Sequence, residues 1–118
     1  MKYIGNVQSQ ANAEVFAVAS GALPDGKAVV VNSDGTVSVI GGSVSLTSEN
    51  FIGFAPSAYP DGAGAEIQTK GAVNEEQSSL TAGQTYFVQT DGTIGTTAAS
   101  PSVTAGTAIS ATELIVKG

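Results

Sequence analysis

Short apolar runs alternate along this chain with small polar turns, and the spacing is that of strands. In "LPDGKAVVVNSDGTVSVI", Leu23 to Ile40, the pattern predicts a strand over Lys27–Val31, a tight turn at Asp34-Gly35 and a return strand over Thr36–Ile40. Val37 and Val39 alternate with Thr36 and Ser38, which puts the valines on one face. Asp-Gly predicts a two-residue type I′ loop, in which both central residues take positive φ. The phrase returns in "LTAGQTYFVQTDGTIGT". Leu80, Gly83, Val88, Asp91, Gly92 and Thr93 stand at one constant offset from Leu23, Gly26, Val31, Asp34, Gly35 and Thr36. Two hairpin modules aligned without a slip, residues 22–40 and 79–97, indicate duplication.

A fainter echo relates Val15–Gly26, "VFAVASGALPDG", to Phe51–Gly62, "FIGFAPSAYPDG", each a strand running into a Pro-Asp-Gly turn. Between the modules, "GGSVSLTSEN" is expected to cross between sheets, with Val44 and Leu46 alternating as a short strand. "GAVNEEQSSL", Gly71 to Leu80, is the most polar loop and offers room for one helical turn. The tail adds strands around Thr107–Ile109 and Leu114–Val116. The sum is an all-β fold: a small β-sandwich or β-barrel of eight to ten short strands with hairpins. Residues 14–118 form a single β domain. Residues 1–13, "MKYIGNVQSQANA", carry no turn signal and read as an extended N-terminal arm, ordered against another subunit.

Composition sharpens this reading. Val, Ile and Thr supply 32 of 118 residues while Leu occurs four times, so side chains suited to a pleated surface outnumber strong helix formers. Ala, Gly, Ser and Thr fill 57 positions, which leaves thin side chains and a need for stability from partners. Ten acidic residues against four lysines give a net charge of −6, which repels a phosphate backbone and argues against nucleic acid as a partner. No apolar run reaches the length of a membrane span, and the start lacks the apolar core of a secretory signal.

The chemistry is sparse. With no cysteine or histidine there is no disulfide framework, no thiolate or imidazole metal site and no imidazole to activate any of the thirteen serines. No Gly-x-Ser-x-Gly or Ser-x-x-Lys spacing occurs, and Glu75-Glu76, the adjacent acidic pair, reads as a solvated loop. "DGAGAE", Asp61 to Glu66, is too short for a calcium loop and reads as a tight glycine turn. Catalysis, cofactor and metal are therefore not expected. The aromatics are more informative. Tyr86 and Phe87 adjoin in a strand and point to opposite faces; Phe51 and Phe54 have odd spacing and split likewise in a regular strand. An outward aromatic on a polar surface is an interface anchor. The interface candidates are Phe51, Phe54, Tyr59, Tyr86 and Phe87, with Met1, Lys2, Tyr3, Ile4 and Val7 of the arm.

The phrases "NFIGFA", "SLTAGQTYFVQTDGT" and "AGTAISATELIVK" lie within Asn50–Lys117. In combination they resemble a module of bacteriophage virion proteins, found at the ends of tail-fibre and other structural proteins of marine and cyanobacterial phages. The resemblance implies a non-enzymatic virion component made in the bacterial host cytoplasm. A free-standing domain behind a short arm is similar to the small head decoration, or cement, proteins. That likeness implies a homotrimer on the capsid surface with the major capsid protein as its partner. The alternative it leaves is a tail-fibre or receptor-binding module for host-surface glycans, and, outside phages, a lectin-like or adhesin module.

Overall fold

A computed structural model describes residues 13–117. Ten strands follow one another: β1 (Glu14–Val18), β2 (Ala28–Val31), β3 (Val37–Val39), β4 (Phe51–Phe54), β5 (Gly64–Gln68), β6 (Val73–Asn74), β7 (Thr85–Val88), β8 (Ile94–Gly95), β9 (Thr104–Ala108) and β10 (Leu114–Val116), with no helix among the described residues. They form two five-stranded antiparallel sheets, ordered β1-β5-β4-β2-β3 and β6-β10-β9-β7-β8. Adding five to each number of the first order yields the second, so the two sheets have the same topology. The duplication therefore extends beyond the hairpins: residues 13–70 and 71–117 are two units of one five-strand plan.

The local bonding repeats with the topology. Val31 N–H donates to Asn50 O at 2.9 Å and Val88 N–H to Val103 O at 2.8 Å; Gly26 N–H donates to Ala55 O at 3.1 Å and Gly83 N–H to Ala108 O at 2.8 Å. In both units the pairing of the hairpin's first strand with the next strand slips by one residue at the same place, Val29/Val30 and Tyr86/Phe87. Each slip is a β-bulge, with Ile52 and Ala105 as the extra residues. A glycine follows each bulge. A Cβ on Gly53 would run into the Gln68 carbonyl, and one on Gly106 into the Ile115 carbonyl, so only hydrogen lets these backbones close up.

The bulge changes where the aromatics go. In a regular strand Phe51 and Phe54 point to opposite faces; one inserted residue brings them to the same side. Both are buried, their rings meeting edge to face at 5.6 Å and 73°. The turns differ from expectation too. Gly35 N–H donates to Asn32 O at 3.0 Å and Asn32 N–H to Thr36 O at 2.8 Å, which makes a three-residue loop with a type I turn and a glycine bulge. Only Gly35, at φ +87°, is left-handed; Asp34 stays at negative φ and uses its carboxylate to accept from Thr36 N at 3.0 Å and Thr36 Oγ1 at 2.6 Å. Asp91, Gly92 and Thr93 repeat the arrangement. The loop expected to hold a helical turn carries β6 instead. The expected strand at Val44 and Leu46 is reduced to one bridge between Gly41 and Val44, with Leu46 buried in the core.

Between sandwich and barrel, the first unit takes a barrel-like course. Past the end of β1, Ala19 forms a parallel bridge to Val37 of β3 and Ser20 N–H donates to Val37 O at 2.8 Å, so the two edges of the sheet meet. The curled sheet encloses a cluster of Ala19, Leu23, Val29, Val37, Ala55, Ala65 and Ile67. A second, larger cluster joins Ala28, Val30, Ile40, Leu46, Phe51 and Phe54 of the first unit to Tyr86, Val88, Ala105, Ala108, Leu114 and Val116 of the second. The second cluster spans the junction, which is why β2 is buried on both faces at Ala28, Val29 and Val30.

Polar groups finish the junction. Asn74 is fully buried, and both ends of its amide are engaged. Its Nδ2 donates to Gln68 Oε1 at 2.8 Å and Ala55 O at 3.3 Å; its Oδ1 accepts from Gln77 Nε2 at 2.9 Å and Glu76 N at 3.1 Å. Gln68 Nε2 in turn donates to Val73 O at 3.0 Å, and Gln77 Nε2 to Gly26 O at 2.9 Å.

Candidate interaction surface

The feature the fold leaves open is β1. Its register against β5 pairs Glu14 with Gln68, Phe16 with Glu66 and Val18 with Gly64. Just beyond its ends, Thr69 N–H donates to Ala13 O at 2.9 Å and Ala19 N–H to Ala63 O at 2.8 Å. Odd-numbered residues therefore spend their backbone groups on β5, and those of Glu14, Phe16 and Val18 point to the other side. Among the described residues only the Ala19–Val37 bridge meets that side. An edge strand usually carries charge or proline against stray pairing. This one carries apolar side chains: Phe16 is 73 % exposed, Val18 49 % and Val15 44 %.

Phe16 is held in place as well as exposed. Its ring lies over Gly64, where a Cβ would clash with it, so the glycine gives the aromatic a flat seat across the strand pair. Glu14 and Glu66 share that face of the sheet. The result is an aromatic knob between two carboxylates on a strand whose outward backbone groups, among the described residues, meet only the Ala19–Val37 bridge, an arrangement suited to a partner strand that offers apolar surface and positive charge.

At the turn end of the first hairpin lies a cleft of about 470 Å³ lined by Ser20, Val31, Asn32, Asp34, Ser43 and Asn50 among others. Asn32 Nδ2 donates to Thr36 Oγ1 at 3.0 Å and Ser38 Oγ at 2.9 Å, and Ser38 Oγ donates to Ser20 O at 2.7 Å. The Asp34 carboxyl is held below its ordinary range by the Thr36 hydroxyl and amide that donate to it. The cleft is thus a hydrogen-bonding surface with one fixed negative charge. Among the described residues no group of three or more Asp or Glu side chains converges to hold a metal ion.

The residues expected as interface anchors are not brought together here. Phe51, Phe54 and Tyr86 are core residues, the first two because of the bulge, and Tyr86 turns its hydroxyl to accept from Thr81 N at 2.9 Å. Tyr59 packs half-buried against the smaller cluster, and Phe87 is half-buried on the opposite face from Tyr86. Met1, Lys2, Tyr3, Ile4 and Val7 lie outside the described residues. Val15, Phe16 and Val18, the exposed residues, are absent from the expected set. In "EVFAV" apolar residues occupy both faces, so alternation does not reveal which is outward; the signal is Gly64, and it appears only once the register is known.

No family model matches this chain, and neither the curated proteins nor the solved structures contain a match.

Proposed function

We propose that this chain is a non-enzymatic structural protein of a phage virion, a capsid decoration protein that binds the major capsid protein lattice as a homotrimer and stabilises the head. The observation that carries the reading is the exposed apolar edge of β1, with Val15, Phe16 and Val18 outward and the backbone of Glu14, Phe16 and Val18 unspent on β5. Such an edge gains main-chain hydrogen bonds and apolar burial by taking a partner's strand. The resemblance of Asn50–Lys117 to phage virion modules supplies the partner. A lattice repeats one weak contact many times, and a trimer engaging several sites at once turns it into tight attachment through effective concentration.

The test is copy number in purified virions, by quantitative mass spectrometry against the major capsid protein. Hundreds of copies per particle are expected; a few copies to a few dozen would remove the capsid reading. In that event the polar cleft favours the second reading, a tail-fibre or receptor-binding module that hydrogen-bonds host glycans, which binding to a glycan array and its loss in Asn32→Ala would test.

A further inference from the structure

The two units differ, position by position, in which surfaces the chain covers and which it leaves open. The second unit receives the first through β6 and the β7–β8 turn. Gln68 Nε2 reaches Val73 O, Asn74 Nδ2 reaches Ala55 O, and Ala28 N–H donates to Gly92 O at 3.1 Å. Ile40 lies against Gly92, 3.7 Å from where a Cβ would stand. Asn74, Val88 and Gly92 are buried in consequence. Their counterparts in the first unit, Val15, Val31 and Gly35, are all exposed, and a Cβ on Gly35 would meet nothing within 4 Å. The receiving face thus exists twice and is occupied once among the described residues.

The docking face is doubled in the same way. Ala28, Ile40, Phe51 and Phe54 bury it in the first unit. The corresponding positions of the second unit are Thr85, Thr97, Thr104 and Thr107, all exposed or half-exposed. Every one of the four is threonine, which keeps a methyl group for contact and adds a hydroxyl for water.

We infer that the open receiving face of the first unit takes the threonine face of the second unit of another copy of this chain, head to tail, in the arrangement the two units already use within one chain. The chemistry of the two faces agrees. Inside a chain the docking face never has to meet water, and it is apolar. Between chains each face must be soluble before it binds, and both carry polar groups: threonine hydroxyls on one side, the serine hydroxyls and asparagine amides of Ser20, Asn32, Ser43 and Asn50 on the other. A contact between unlike faces is heterologous, so it closes into a ring or extends as a filament and does not stop at a two-fold dimer. This inference stands on the internal repeat and is independent of the virion reading.

Two variants of the full chain test it. Val31→Lys places a charge on the receiving face, and Thr85→Lys places one on the threonine face; both positions are exposed. In analytical ultracentrifugation the unaltered chain is expected to assemble beyond a dimer as concentration rises. Each variant alone should associate about a hundredfold more weakly, because a long charged side chain has to be accommodated and stripped of water at the contact. Mixed, they should form a one-to-one dimer and nothing larger, since one intact receiving face then meets one intact threonine face. A monomeric unaltered chain, a mixture no different from its components, or Thr85→Lys assembling as the parent does would overturn the inference. A second measurement does not depend on those lysines. Ile115 is the counterpart of Gln68, so Val15→Cys with Ile115→Cys should give an intermolecular disulfide ladder in a chain that otherwise has no cysteine. No cross-link on oxidation would count against the head-to-tail contact, and circular dichroism identifies any variant that fails to fold.

Discussion

Asp34 and Asp91 do the same work in the two hairpins, and Glu76 has no such support. Each aspartate accepts from the hydroxyl and amide of the threonine two residues on, which stabilises the charged form and lowers its pKa. Their contribution to stability is present above the unfolded carboxylate range and lost as pH falls through the lowered values. Glu76 is shifted upward from 4.5, first by its hydrogen bond with the Asp25 side chain, then by burial and by the charges of Asp25 and Glu75. Asp25 belongs to the first unit's Pro-Asp-Gly turn, and Glu76 crowds it from the second: a Cβ on Gly26 would lie 2.6 Å from Glu76 O. A carboxyl raised in the fold stabilises it while protonated, so this contribution is full below the unfolded value and disappears as pH rises through the folded one. Thermal unfolding from about pH 4 to 7 should therefore show Glu76→Gln more stable than the parent at neutral pH and level with it near pH 4. Equal curves at both ends would show that the Asp25–Glu76 contact does not bear on stability.

At the scale of elements, the hairpins and the strand character were legible in the sequence because both rest on local rules. Alternation marks a strand's faces, and Asp-Gly marks a reversal. The turn type was not legible, since Asp-Gly fits a two-residue loop and a three-residue loop equally; Thr36 and Thr93, which draw the aspartate side chains down, decide it. The bulges were hidden for a different reason. They are pairings between strands distant in sequence, and their only local trace is a glycine, Gly53 or Gly106, that period-two reading treats as a flaw. That omission misplaced Phe51 and Phe54 as surface anchors. Their burial gives the glycine a testable weight. In Gly53→Ala the new methyl meets the Gln68 backbone, which cannot rotate aside, so urea unfolding should show a loss of at least about 3 kcal/mol. Gly35→Ala, left-handed but in open space, should lose about 1–2 kcal/mol. Comparable losses at the two sites would mean that β4 and β5 separate easily and that the bulge is not pinned.

Over the whole molecule, duplication raises the question of whether the two units fold separately, as units of a tandem array can. Their junction argues that they do not. The larger core cluster draws half its members from each unit, and the Asn74 amide reaches the backbone of the first unit from inside the second. The second unit's β6 and β8 are two residues each, too short to hold a sheet without the first unit against them. Phe54 sits at the centre of this contact, fully buried and edge to face with Phe51. Phe54→Ala should cost about 3–5 kcal/mol, a large part of a domain's stability. Because the cluster is shared, the loss should fall on both sheets. Hydrogen exchange is the measurement that separates the cases: in the variant the amides of Val29 in β2 and Val88 in β7 should lose protection by the same free energy. If only those of the first unit did so, the chain would be two small domains in contact, and its exposed receiving face would belong to an array whose members fold one at a time.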